Sequence, residues 1–92
     1  MAMKHVEGKN KGNIVVYALS TCPWCQKTKT LLNELGIEYY FEDVDLSSPE
    51  DRNRISSTLN KWNPQNSFPT IVIDNARCIV GFKEQDIREA VK

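Results

Sequence analysis

Two cysteines separated by two residues, in the stretch Cys22-Pro23-Trp24-Cys25, are the side chains best suited to chemistry. An apolar, β-branched run precedes them and leucines at helical spacing follow, so Cys22 is predicted where a strand turns into a helix. The first turn of a helix has unpaired N–H groups and a positive partial charge, which favour a thiolate over a thiol. Pro23 suits the first helical position, where its missing N–H costs nothing. We therefore expect Cys22 to be a nucleophile near neutral pH and Cys25 to attack the mixed disulfide that forms.

A zinc site is the alternative use of the same two thiols. Zinc usually takes four ligands, supplied by two such cysteine pairs or by one pair and two histidines. The other candidate ligands are Cys78 and His5, and neither has a partner at ligand spacing. We therefore expect no metal site, and a zinc-binding module stays as an alternative hypothesis.

Length and composition indicate one small soluble domain. The 92 residues carry 12 basic and 12 acidic side chains, so the chain lacks the basic excess of a nucleic-acid-binding protein. No apolar segment approaches the ~20 residues of a membrane span, and no apolar region follows the Lys-rich N-terminus as in a secretory signal. Three cysteines form an odd set, which favours an intracellular protein with one working dithiol over a disulfide-stapled secreted domain. We expect a cytoplasmic protein that binds neither nucleic acid nor membrane.

The predicted elements follow the order β-α-β-α-β-β-α. Residues 1–12 are polar and without periodicity, so they are predicted to be a flexible tail, and residues 13–92 are predicted to form the domain. The first strand–helix–strand unit predicts a right-handed crossover between parallel strands, and the short turn at 74–77 predicts an antiparallel hairpin. Ser48 is the predicted N-cap of the second helix, and a polar loop is predicted at 63–67. The predicted strands cover 13–19, 37–45, 68–73 and 78–80, and the predicted helices cover 23–35, 49–62 and 83–92.

Three further side chains with reactive or charged groups are given structural interpretations. Cys78 lies in a short strand and is predicted to act as a small, inert apolar residue, because free cysteines are commonly buried. Lys27 and Lys29 follow the dithiol and could favour its thiolate form, but on a surface helix we expect them to be solvated charges.

Three stretches give the chain a resemblance to the glutaredoxins, a family of thioredoxin-fold oxidoreductases. The first is the dithiol after a strand, where glutaredoxins commonly show Cys-Pro-Tyr-Cys. The second is Ser-Phe-Pro-Thr at 67–70, which is similar to the family's Thr-Val-Pro segment with its cis-proline. The third is Ile-Val-Gly-Phe-Lys at 79–83, near the family's Gly-Gly turn before the last helix. The resemblance spans residues 13–92.

This resemblance implies the thioredoxin/glutaredoxin fold, an α/β arrangement with a four-stranded mixed sheet flanked by three helices. It implies dithiol–disulfide exchange, with Cys22 and Cys25 as the catalytic residues and a cis-proline facing them. No bound cofactor is implied, since glutathione or another thiol would serve as co-substrate. The implied partners are disulfide-containing proteins and a low-molecular-weight thiol or a thioredoxin-type reductase, and we expect a monomer. The residues expected to bind substrate are Pro23, Trp24, Phe68, Pro69, Gly81, Phe82 and Lys83.

Two departures from the family pattern leave the electron donor open. Leu19 stands where glutathione-using glutaredoxins typically hold a lysine, three residues before the first cysteine. The single Gly81 followed by Phe82 resembles the glutaredoxin-like redoxins that reduce ribonucleotide reductase and take electrons from thioredoxin reductase. Some glutaredoxins instead bind an iron–sulfur cluster between two subunits, but those usually lack a proline at the position of Pro23. A redoxin of this kind and a zinc- or iron–sulfur-binding module are the alternative functions.

Overall fold

A computed structural model describes residues 4–62, 68–74 and 76–91 of the chain. Within these ranges the polypeptide forms five strands, three α-helices and a short 3-10 turn at Val44–Leu46. The strands are β1 (Lys4–Val6), β2 (Ile14–Ala18), β3 (Tyr39–Asp43), β4 (Thr70–Ile73) and β5 (Arg77–Val80). The helices are α1 (Pro23–Glu34), α2 (Pro49–Trp62) and α3 (Glu84–Ala90). The strands form one mixed sheet in the order β1-β3-β2-β4-β5.

Strand β2 occupies the centre of the sheet, and the dithiol follows its C-terminal end. It pairs parallel with β3 and antiparallel with β4, as expected for the strand before the first crossover. Its side chains alternate between two buried clusters, because successive residues of a strand point to opposite faces. Val16 and Ala18 pack with residues of α1 and α3, whereas Tyr17 packs with residues of α2. Both faces are therefore covered, which explains the continuous apolar run in the sequence.

Helix α1 begins and ends where its sequence signals predict. Pro23 occupies its first turn, and Leu31 and Leu32 are buried against the sheet. Gly36 follows the helix with a φ of 66°, a left-handed conformation that glycine adopts without a Cβ clash. The N–H of Ile37 then donates to the carbonyl of Leu32 at 3.2 Å and closes the helix end.

Two further local predictions are confirmed. The Oγ of Ser48 accepts a hydrogen bond from the N–H of Asp51 at 3.2 Å, so Ser48 caps α2. Strands β4 and β5 pair antiparallel, as the hairpin spacing predicted. The predicted loop at 63–67 and Asn75 in the hairpin turn lie outside the described residues.

The predicted number of strands is wrong, because the sheet has five strands rather than four. Strand β1 lies in the segment predicted as a tail and pairs antiparallel with the edge of β3, with Lys4 opposite Phe41. The backbone of Lys9 also donates to the carbonyl of Gly36 at 2.7 Å. Among the described residues, the sheet therefore includes Lys4, which precedes the predicted boundary at residue 13. The sequence gives no alternation here because β1 has only three residues, two of them exposed.

Within the described ranges, every helix is too short or too polar to cross a membrane.

Candidate active site

Cys22 stands immediately before α1, as its N-cap residue. Its backbone is extended, with φ −85° and ψ 116°, and its N–H donates to the carbonyl of Leu19 at 3.1 Å. Its Sγ accepts a hydrogen bond from the N–H of Cys25 at 3.3 Å. A hydrogen bond to an ionised acceptor is stronger than one to a neutral acceptor, so this N–H stabilises a negative sulfur more than a thiol. The side chain is partly exposed, and a substrate can therefore reach this sulfur.

Cys25 has the opposite environment one turn later. It is 0% exposed and belongs to the buried cluster between the sheet, α1 and α3. Burial, followed by the interaction with the sulfur of Cys22, raises the pKa of Cys25 to about 12. The backbone of Leu19 and the charge of Lys29 act in the other direction and lower this pKa. Both cysteines are free thiols within one turn of helix, but the sulfur of Cys22 is accessible whereas that of Cys25 is buried.

Ser20, two residues before Cys22, is hydrogen-bonded to Asp45 in the 3-10 turn after β3. The N–H and Oγ of Ser20 donate to the two carboxylate oxygens of Asp45 at 2.9 and 2.5 Å. These bonds are the main reason that the pKa of Asp45 is lowered. The side-chain amide of Gln26 donates to the carbonyl of Ser20 at 3.3 Å. Asp45 could not be identified from local sequence patterns, because its partner lies 25 residues earlier and only the sheet register brings them together.

A cavity of about 270 Å³ is lined by four of the residues expected to bind substrate: Trp24, Phe68, Gly81 and Phe82. The indole of Trp24 is 54% exposed and stacks on Phe82 with 6.1 Å between ring centroids. The Nζ of Lys27 lies 4.5 Å from the centroid of the indole. Trp24, which lies between the two cysteines, therefore forms one wall of an aromatic pocket with a cation at its edge.

Pro69 and Gly81 are joined beside this pocket. The peptide bond between Phe68 and Pro69 is cis, as the resemblance implied. The carbonyl of Pro69 accepts a hydrogen bond from the N–H of Gly81 at 2.8 Å, and Gly81 has a φ of 87°. The bond links the start of β4 to the turn after β5, so Phe68 and Phe82 line the same cavity. Ser67, the first residue of the segment identified in the sequence, lies outside the described residues.

Lys83 lies apart from the other expected binding residues. It lines a different cavity, of about 380 Å³ between β5 and α3, together with Cys78 and Asp86. Cys78 is partly buried, and burial raises the pKa of its thiol, in keeping with the predicted role as a small apolar residue. Pro23 is the first residue of α1 and does not line the aromatic cavity in the described part of the chain.

The candidate ligands for a metal ion do not come together in the described ranges. Within 4–62, 68–74 and 76–91, no three histidine, cysteine, aspartate or glutamate side chains cluster in a way that could hold a metal. His5 stacks on Tyr40 with 4.7 Å between ring centroids, on the edge strand β1. In the described part of the chain, the side chains identified beside the dithiol are aromatic, and no cluster of metal ligands includes it.

Comparison with known proteins identifies the family to which this site belongs. The glutaredoxin family model matches residues 14–78, which is more than half of the chain. The chain belongs to the glutaredoxin family. This is a family of thiol–disulfide oxidoreductases, and the matched segment contains the dithiol and the cis-proline. The predicted thioredoxin/glutaredoxin fold is thereby confirmed, apart from the additional strand.

Similar proteins come from archaea and from plants. A crystal structure of glutaredoxin from Methanosarcina mazei Go1 has a TM-score of 0.91 and 40% identity, covering 99% of this chain and 88% of the other. A crystal structure of methanoredoxin from Methanosarcina acetivorans has a TM-score of 0.88 and 45% identity, covering 91% and 88%. Glutaredoxin-C2 from Arabidopsis thaliana is 36% identical over 74 residues, which is 79% of this chain. The match spans 65% of that plant protein, just under two thirds of its length.

Proposed function

We propose that this protein reduces disulfides by a two-thiol reaction in which Cys22 attacks and Cys25 resolves. The observation that carries the proposal is the difference between the two sulfurs. The sulfur of Cys22 is accessible and accepts a backbone hydrogen bond, whereas that of Cys25 is fully buried and raised in pKa to about 12. Since the thiolate is the attacking species, an external disulfide reacts first with Cys22.

The proposed reaction has two exchange steps. The thiolate of Cys22 attacks one sulfur of the substrate disulfide, forms a mixed disulfide and releases the other sulfur as a thiolate. Cys25 then gives its proton to water, and its sulfur bonds to the sulfur of Cys22 while the substrate's remaining sulfur leaves. The substrate gains two electrons and the protein ends with a bond between Cys22 and Cys25.

The proposed substrates are protein disulfides and mixed disulfides between a protein and a small thiol. The exposed indole of Trp24, stacked on Phe82, offers an apolar surface beside the reactive sulfur. The adjoining cavity of about 270 Å³ is close to the lower end of the size range of small-molecule sites. We propose a low-molecular-weight thiol, glutathione or another, as the reductant. The cytoplasmic location and the monomeric state expected from the sequence stay predictions.

Tryptophan fluorescence of the oxidised protein tests the proposed function and separates the candidate donors. Trp24 adjoins the dithiol, and a disulfide near an indole quenches it, so reduction should raise the emission. A Trp62→Phe background removes the second indole, and Cys22→Ser serves as the control that cannot be oxidised in this way. A fast rise with glutathione supports a thiol-dependent glutaredoxin. A rise only with NADPH and thioredoxin reductase instead supports the redoxin alternative, for which the single Gly81 followed by Phe82 is the motivating feature. A change that persists in the Cys22→Ser protein refutes the proposed dithiol.

A further inference from the structure

Lys29 is a nearly buried cation on α1, although its place on a surface helix predicted a solvated charge. Its side chain is 12% exposed, and its Nζ lies 2.9 Å from an oxygen of Asp43, whose side chain is 14% exposed. The same Nζ lies 4.2 Å from the centroid of the Phe41 ring. These contacts from β3 fix the ammonium group against the sheet, where water screens it little.

The ammonium group is on the same side of α1 as the buried sulfur. Lys29 follows Cys25 by four residues, and residues at this spacing are neighbours on one helix face, with Cβ atoms about 6 Å apart. Its partner Asp43 is in register with Ala18, which belongs to the same buried cluster as Cys25. The charged pair therefore borders the cluster that contains the second sulfur of the dithiol.

A positive charge near Cys25 favours its thiolate, which is the form that attacks a disulfide. Its burial disfavours the thiolate, which is why its pKa is raised. Among the described residues, the ionisable side chains that interact with its sulfur are Cys22, which opposes ionisation, and Lys29, which favours it. Once Cys22 is part of a mixed disulfide, its sulfur carries no charge. The ammonium group of Lys29, paired with Asp43, still acts on the sulfur of Cys25.

We propose that Lys29 is a positioning residue of the resolving step, whose ammonium group, held in place by Asp43, stabilises the thiolate with which Cys25 attacks the mixed disulfide. In that step the thiol of Cys25 gives its proton to water and its sulfur bonds to that of Cys22. The bond between Cys22 and the substrate sulfur breaks, and the departing sulfur takes up a proton. The inference rests on the proposed function, because it concerns the second of its two exchanges.

Stopped-flow reaction with 2,2′-dithiodipyridine measures the two exchanges separately. The reagent is uncharged at neutral pH, so the charge of Lys29 does not alter its encounter with the protein. Attack by Cys22 releases the first pyridinethione and attack by Cys25 releases the second. A Cys78→Ser background removes the third thiol. The variants are Lys29→Gln, which keeps a donor for Asp43 without the charge, Lys29→Arg, which keeps the charge, and Lys61→Met, an exposed lysine on α2 that serves as the matched control.

The expected result is a selective slowing of the second release. In Lys29→Gln it falls about three- to tenfold across the neutral pH range, because a smaller fraction of Cys25 is thiolate and the more basic sulfur offsets only part of that loss, while the first release changes less than about twofold. Lys29→Arg and Lys61→Met keep the wild-type rates for both releases. Wild-type resolution in Lys29→Gln overturns the proposal, and so does equal slowing of both releases or an equal loss in Lys29→Arg. Failure of the proposed function gives a different result, because a Cys25→Ser protein would then still release the second pyridinethione.

Discussion

Raising the pH should destabilise the reduced protein through the buried thiol of Cys25. Burial raises the pKa of this thiol to about 12, whereas the unfolded chain exposes it with an ordinary pKa of about 8.5. A group whose pKa is raised by folding stabilises the fold below the unfolded pKa, and that contribution is lost as the pH rises toward the folded value. The free energy of unfolding then falls by about 1.4 kcal/mol per pH unit, so about 2 kcal/mol is lost by about pH 10.

Urea unfolding at several pH values, followed by circular dichroism in reducing buffer, measures this loss. The comparison is between the wild-type protein and Cys25→Ala. Tyr17, Tyr39 and Cys78 also have pKa values raised by burial, but they titrate in both proteins and cancel in the difference. The oxidised wild-type protein, unfolded in buffer without reductant, has no free thiol at this position and should show the same pH dependence as the variant. A difference between the two reduced proteins that stays constant from about pH 7 to about pH 10 would refute the assignment of a buried, protonated Cys25.

Three further substitutions have expected outcomes. Arg54→Met leaves the fully buried carboxylate of Glu42 without the guanidinium that lies 2.6 Å away, so urea unfolding should show a loss of about 2 to 3 kcal/mol, and a loss below about 0.5 would contradict the buried pair. Phe82→Ala removes the ring stacked on Trp24, so the KM for a protein disulfide should rise roughly two- to tenfold with kcat unchanged, whereas an unchanged KM would exclude the aromatic pocket from binding. Leu32→Ala empties a fully buried site and should cost about 2 to 5 kcal/mol in urea unfolding; a cost below about 1 would contradict its place in the core.

The dithiol and the elements around it could be predicted because their signals are local. An apolar run, a proline at the first helical position and leucines at helical spacing placed Cys22 at a helix start, where the structure has it. The cap by Ser48 and the β4–β5 hairpin likewise depend on neighbouring residues. The cis peptide before Pro69 came only from the family resemblance, because the sequence by itself favours trans at any proline.

The features missed in the sequence depend on contacts between distant residues. Strand β1 exists because β3 offers an edge to pair with, and its own three residues carry no pattern. The partner of Lys29 is 14 residues away on another element, so its burial could not be predicted from a surface helix. A lysine four residues after a buried cysteine, with an aspartate at the end of the adjoining strand, is the signal that could have indicated it. Lys83 was assigned to substrate binding by resemblance; it lines the cavity between β5 and α3 rather than the aromatic one, and its role stays a prediction.

The central claim is that Cys22 attacks and Cys25 resolves, and trapping the intermediate tests it most directly. Each protein is fully reduced and mixed with one equivalent of a short peptide disulfide, and the products are identified by intact mass spectrometry in a Cys78→Ser background. The wild-type protein should lose two hydrogens and carry no adduct, whereas Cys25→Ser should carry one peptide, attached at Cys22. Cys22→Ser should remain unmodified, because its remaining thiol is buried and protonated. A stable adduct on Cys25 in the Cys22→Ser protein, or an unmodified Cys25→Ser protein, would contradict the assignment of the two roles.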